Sequence, residues 1–341
     1  MQAIHRNNFD FIRLSAAIMV WYGHCYALVK LNDPLERAIS FEAFGSLGVT
    51  IFFIISGYFV TASYNNNKRF LPYMRNRALR ILPALFVVVL LSVFVLGPLV
   101  TTLSIGDYFS NHITWRYLKC MLIFPLQYDL PGVFTHNAMS AVNGSLWTLQ
   151  HELRLYIVIA LLGVLGILRP RLMLVLLVGL YVIRMYGYVT VPPPEKLFTV
   201  KWGKLELAVK LASQFAGGAL MYLARDKLIL CKKYFVIALL LLGGSLFLPA
   251  IANSMLFDIG LTYAVIYLGF LKLPLLPMAG KYGDFSYGFY LYAFPIQQLS
   301  LQLLGSDPGF GAFLFTSFVA TFLCAILSWH FVENPALSLK R

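Results

Sequence analysis

The sequence predicts an all-α integral membrane protein, about ten transmembrane helices in one bundle with both termini cytoplasmic. Three observations predict it. Hydrophobic residues make up 60% of the 341-residue chain and charged ones only 12%, against about 25% charged in ordinary soluble domains. Apolar runs near twenty residues, the length that crosses a bilayer as a helix, recur along the whole chain. The basic residues between those runs fall unevenly on alternate sides, as the positive-inside rule requires.

The spans are expected at 9–29, 45–63, 79–103, 145–168, 171–189, 206–224, 233–250, 254–272, 284–304 and 309–332. The first, "FDFIRLSAAIMVWYGHCYAL", is followed by no small-residue cleavage site and reads as a retained span rather than a signal peptide. The second carries Gly57 within "IISGYFVTASY", where a missing side chain lets helices approach closely. The third follows a cytoplasmic loop, "RFLPYMRNRALRILPAL", with Pro83 in the first turns of the helix. A long outer segment, 104–144, comes next. Its "WRYLKCMLIFPLQYDL" (115–130) is apolar, but the apolar core is short and a crossing there would invert every later loop. It reads as a helix lying on or dipping into the outer face.

The fourth span enters from outside as "NGSLWTLQHELRLYIVIALL", and the fifth to eighth are apolar runs joined by short loops. The ninth opens on "GDFSYGFYLYAFPIQQL", whose Tyr287, Tyr290 and Tyr292 fit an interfacial aromatic belt or packing. The tenth closes on "FVENPA". In this topology the inner segments hold 16 lysines and arginines and the outer ones 7, with Arg13, Arg154, Arg184 and Lys210 inside spans. There is no internal repeat, and residues 1–341 read as one membrane domain.

Several function classes fall away. The four cysteines lack CxxC or Cys/His spacing, so neither a metal site nor a disulfide framework is expected. The net charge of +13 fits basic cytoplasmic loops, and no RNP, zinc-finger or P-loop pattern points to nucleic acid.

Ionisable residues inside spans are costly and mark candidate functional sites. Arg13 and His24 stand eleven residues apart on the first span. Eleven residues of α-helix turn through about 1100°, close to three full turns, and rise about 16 Å. The pair therefore shares one face, a polar stripe suggesting a polar cavity beside this helix, with Asp10 placed to pair with Arg13. The competing reading has Arg13 reaching lipid phosphates and His24 making one interhelical hydrogen bond. Glu152 lies about seven residues inside the fourth span and His24 about five inside the first, so both fall in the outer half. A carboxylate that stabilises a charged histidine suits general acid–base work; the alternative is a structural pair of Glu152 with Arg154 or Arg184. Arg75, Arg77 and Arg80 crowd the inner mouth of the third span, where guanidinium forks suit phosphate oxygens. Plain topology and anionic-lipid contact explain a basic loop equally well.

Taken in order, Arg13-x10-His24, "ISGYF", "RNRALRILPAL", "NGSLWTLQHE", "DFSYGFYLYAFPI" and "FVENPA" resemble the acyltransferase-3 family of membrane acyltransferases. The likeness is greatest to bacterial members that O-acetylate O-antigen and other surface polysaccharides. It implies a multi-pass protein of the bacterial inner membrane that moves an acyl group, usually acetyl, from cytoplasmic acyl-CoA to a sugar hydroxyl on a lipid-linked glycan. It maps the central Arg–His pair onto Arg13 and His24, the arginine motif onto Arg77 and Arg80, and the acidic residue onto Glu152. Members often show "E..FY" where this chain has Glu152-Leu-Arg-Leu-Tyr156. Some relatives carry a periplasmic hydrolase-like domain; without one, the chain is expected to acylate its acceptor directly or to hand the acyl group to a partner. On this reading acetyl-CoA phosphates rest on Arg13, Arg75, Arg77 and Arg80. His24 is the base, or first takes the acyl group itself, and Glu152 holds the imidazolium. Proton-coupled export of an anion is the competing class, and a structural partner in polysaccharide synthesis a third.

Overall fold

The computed structural model describes residues 7–39, 41–190, 200–248, 250–272, 282–305 and 309–340, and among them there is no β-strand. The long helices are α1 (Phe9–Leu28), α2 (Phe44–Asn67), α3 (Phe70–Leu91), α4 (Trp147–Val164), α5 (Pro170–Thr190), α6 (Val200–Leu223), α7 (Lys232–Ser245), α8 (Ala250–Phe270), α9 (Ser286–Leu304) and α10 (Phe310–Ser328). Each expected span therefore falls on a helix. Among the described residues, four helical stretches qualify by length and composition to cross a membrane: Phe44–Asn67, Phe70–Val100, Asn253–Phe270 and Phe310–Ser338. α7, at 14 residues, falls short of the roughly 20 that a bilayer requires.

Two expectations need correction. The arginines of "RNRALR" sit within α3, not in a loop before it, because the helix already starts at Phe70. The stretch 115–130 is not a continuous helix. Helical turns cover His112–Tyr117 and Leu118–Leu122 and stop at Ile123, which adopts a left-handed conformation (φ 68°). Pro125 follows at once, and a proline disfavours helix at the residue before it. Of the two readings of the ninth-span tyrosines, packing is the one the structure supports. Tyr290 and Tyr292 are buried, and the Tyr287 and Tyr290 hydroxyls donate to the carbonyls of Ile81 and Ser145, both at 2.8 Å.

The described residues divide into two compact units, the first drawn from Met1–Arg13, Val49–Met74 and His151–Ala279, the second from Leu14–Gly48, Arg75–Gln150 and Gly280–Arg341. In the first unit, α2 and α6 meet backbone to backbone. A side chain at Gly57 would strike the Phe215 carbonyl, and one at Gly218 the Ile54 carbonyl, which is why small residues occur on these two faces. In the second unit, Gly48 fits α2 against Ala16 of α1 in the same way. Asp33 fixes the turn between these two helices by accepting from Leu35 N (2.8 Å) and Phe44 N (3.0 Å).

The sequence motifs explain each other's irregularities. Pro295 inside α9 has no N–H to offer the carbonyl four residues earlier. That carbonyl, Leu291 O, instead accepts from the Asn143 side chain at 2.9 Å. Asn143 Oδ1 in turn accepts from Ser145 N at 3.1 Å, capping the turn that leads into α4. The Asn of "NGSLW" thus repairs the helix that the Pro of "AFPI" interrupts. A π-turn at Ser92–Leu96 disturbs the helical ladder, and the Tyr108 hydroxyl donates to Val93 O there at 3.0 Å.

Candidate functional site

Arg13 and His24 both lie on the unbroken helix α1, Arg13 in the first unit and His24 in the second. Glu152 belongs to the first unit; Arg75, Arg77 and Arg80 belong to the second.

In the second unit the arginine motif, the start of α9 and the end of α10 converge. A π-turn, Trp329–Glu333, extends α10 and carries Glu333. Arg80 reaches Asp284 at 2.5 Å and Glu333 at 3.7 Å, with Glu333 only 2% exposed. Ser328 donates to Glu333 at 2.9 Å, Ser286 donates to Asp284, and the Arg80 guanidinium lies 5.7 Å from the Tyr287 ring centroid. Arg75 donates to the Leu339 carbonyl at 3.0 Å. Lys340 follows. Burial, with Arg77 and Arg80 nearby, pushes its ammonium group down from 10.5 to about 8.

Lys340 is thus held where burial, and after it the charges of Arg77 and Arg80, disfavour its ammonium form, which costs stability. Because its folded pKa lies below the unfolded one, stability rises with pH between about 8 and 10.5 as the amine is released from its charge. Lys340→Met should therefore raise the thermal midpoint at pH 7 in low-phosphate buffer. The difference from the parent protein should shrink toward zero by about pH 10.5, and equal midpoints at both pH values would contradict it.

His24 is half-buried, its ring edge-on to Phe294 with centroids 5.2 Å apart. Its Nδ1 is buried and, among the described residues, has no hydrogen-bond partner. Nearby on the same two helices, Gln297 is fully buried and donates to the Trp21 carbonyl (2.7 Å) and Cys25 Sγ (2.8 Å). The Gly23 and Gly45 backbones nearly touch on the α1–α2 side, so the helix bearing His24 is held rigidly there.

In the first unit, Arg13 pairs with Asp10 at 3.1 Å, as the sequence leads one to expect, and stacks 5.0 Å above the Phe59 ring. Glu152 accepts from the Ser56 hydroxyl at 3.1 Å and from the Tyr156 hydroxyl. Arg184 is not its partner. Arg184 binds Asp258 at 2.6 Å, both side chains almost fully buried, with Ser213 and Ser254 each 3.1 Å from the guanidinium. Gln214 bridges Asp258 (3.2 Å) to Thr50 (3.0 Å).

Sequence reasoning left Asp258, Asp284 and Glu333 unassigned, together with the hydroxyls on Glu152. A lone carboxylate within an apolar run, as in "SMLFDIGL", signals a buried partner and could have marked Asp258. Among the described residues no group of three His, Cys, Asp or Glu side chains is placed to hold a metal.

Comparison with known proteins gives two relatives. An O-acetyl transferase of Shigella phage Sf6 is 30% identical over 337 residues, covering 98% of this chain and 97% of the phage protein. Nodulation protein 10 of Rhizobium leguminosarum bv. viciae is 38% identical over 165 residues, 46% of this chain and 44% of that protein. No solved structure gives a significant match. The acyltransferase-3 family model, described as an acyltransferase domain, matches residues 6–329, and the chain belongs to that family.

Proposed function

We propose that this protein transfers an acetyl group from cytoplasmic acetyl-CoA to a sugar hydroxyl of a bacterial surface polysaccharide, such as lipopolysaccharide O-antigen, at the outer side of the inner membrane. The full-length likeness to the phage O-acetyl transferase carries this reading. The chain acts as a single multi-pass membrane domain of ten spans with both termini in the cytoplasm, and its acceptor is lipid-linked.

The donor's phosphates are assigned to Arg13, Arg75, Arg77 and Arg80, joined by Lys340. Supporting this, Lys340 is depressed by burial and, after that, by the nearby charges of Arg77 and Arg80, and a bound polyanion relieves the repulsion. Arg80 has a second task, because Asp284 and Glu333 already hold its fork. That second task is to set the cluster in place.

His24 takes the proton from the attacking sugar hydroxyl, or accepts the acyl group before the sugar does. Glu152 stabilises the positive charge that develops during transfer. The buried, unpartnered Nδ1 of His24 supports a reacting role, since a buried polar atom without a partner is costly to maintain. On the outer segment the exposed Trp115 and Tyr128, with Trp147, are assigned to the sugar.

The test uses sealed inside-out membrane vesicles carrying the protein and lipid-linked polysaccharide, with labelled acetyl-CoA added outside. Label should appear as alkali-labile ester on the polysaccharide. Label that enters the lumen without reaching sugar would instead indicate export. Incorporation only in right-side-out vesicles would reverse the donor side.

A further inference from the structure

Both hydroxyls that reach Glu152 bind the same oxygen. Ser56 Oγ donates to Oε1 at 3.1 Å, and the Tyr156 hydroxyl donates to Oε1 as well. Among the described residues no hydrogen bond reaches Oε2. A carboxylate that only needed a structural anchor could share its donors between both oxygens. Here one oxygen is saturated and the other left for a further partner.

The two donors are themselves held. Tyr156 stands four residues after Glu152 on α4, one turn along the same face, and is 3% exposed. Its backbone carbonyl accepts from the buried Tyr73 hydroxyl at 3.0 Å. Ser56 precedes Gly57, the position where α2 lies directly against the backbone of α6. Its helix therefore cannot shift toward α6 without a clash. All of these groups lie within the first unit.

We propose that Ser56 and Tyr156 are positioning residues that grip Glu152 through Oε1, fix the plane of its carboxylate and leave Oε2 as the working oxygen. The inference rests on the proposed role of Glu152 in acyl transfer. Charge-assisted hydrogen bonds to a carboxylate are among the stronger ones available to a protein. Two of them on one oxygen resist the rotation that would otherwise blur where Oε2 points. The serine of "ISGYF" and the tyrosine of "HELRLY" thereby acquire a chemical reason to occur together.

The test compares steady-state transfer by the purified full chain in lipid nanodiscs, with acetyl-CoA as donor and lipid-linked polysaccharide from cells lacking the gene as acceptor. Ser56→Ala and Tyr156→Phe should each lower kcat about tenfold and the double variant about a hundredfold, the size expected for losing charge-assisted bonds. KM for both substrates should stay within about twofold, because neither hydroxyl binds substrate. Ser56→Thr keeps the hydroxyl and should restore most of kcat, which a packing role for the serine would not predict.

Glu152→Gln separates the two levels of the argument. If it transfers acetyl at the parent rate, the proposed role of Glu152 itself falls. If it is inactive while the double hydroxyl variant retains parent kcat, only the grip is overturned. A double variant that loses kcat merely in proportion to its loss of folded protein, with no rescue by Ser56→Thr, also overturns it.

Discussion

Arg184→Met is expected to destabilise the protein by about 3–5 kcal/mol, the typical cost of removing one partner of a buried ion pair. Arg184 and Asp258 are 7% and 2% exposed and 2.6 Å apart, on α5 and α8. Removing the guanidinium leaves the Asp258 charge with Gln214 alone at 3.2 Å, and Ser213 and Ser254 lose a partner too. The double variant Arg184→Met/Asp258→Leu removes both charges together and should recover much of the loss, since an apolar pair of similar volume often replaces a buried ion pair at little cost. Thermal unfolding in detergent, followed by tryptophan fluorescence, checks both statements. A single variant that melts with the parent protein would show that the pair is not holding α5 to α8.

The second large effect concerns turnover. His24→Ala should lower acetyl transfer about a thousandfold and Glu152→Gln by a similar factor, within the range that a positioned general base contributes. The double variant should be little worse than either single one, because residues that act as a unit in one step are strongly non-additive. Both variants should express and melt normally. His24 makes no hydrogen bond through Nδ1 that the fold could lose, and Glu152→Gln keeps an acceptor for Ser56 and Tyr156. Two independent, multiplying losses would mean that the residues serve different steps.

Much of this molecule can be read from its residues, and the reason is physical. A bilayer demands runs of apolar residues with their backbone hydrogen bonds closed internally, so each expected span overlaps a helix, though the ends often differ. The Asp10–Arg13 pair follows from helical spacing alone. What escaped reading has a common cause. Asn143 and Leu291, Arg80 and Glu333, Ser56 and Glu152 are separated by tens to hundreds of residues and meet only through packing. No periodicity encodes such meetings. The stretch 115–130 differs from its expectation for another reason: Tyr117, Cys120 and Ile123 are buried, and composition does not distinguish a packed loop from an interfacial helix.

The charged mouth shows how a topological signal can conceal a second one. Five basic residues between 68 and 80 satisfy the positive-inside rule, which gives no reason to look for acids among them. Asp284 and Glu333 are nevertheless there, and they occupy Arg80. A basic stretch whose arginines differ this much in their partners is not a uniform lipid anchor.

The most direct measurement is the O-acetyl content of surface polysaccharide, by mass spectrometry, from cells lacking this gene and complemented with the parent protein or with His24→Ala at matched membrane levels. The account predicts acetylated repeat units with the parent protein and none above background with His24→Ala. Full acetylation by His24→Ala, or none with the parent protein, would contradict it.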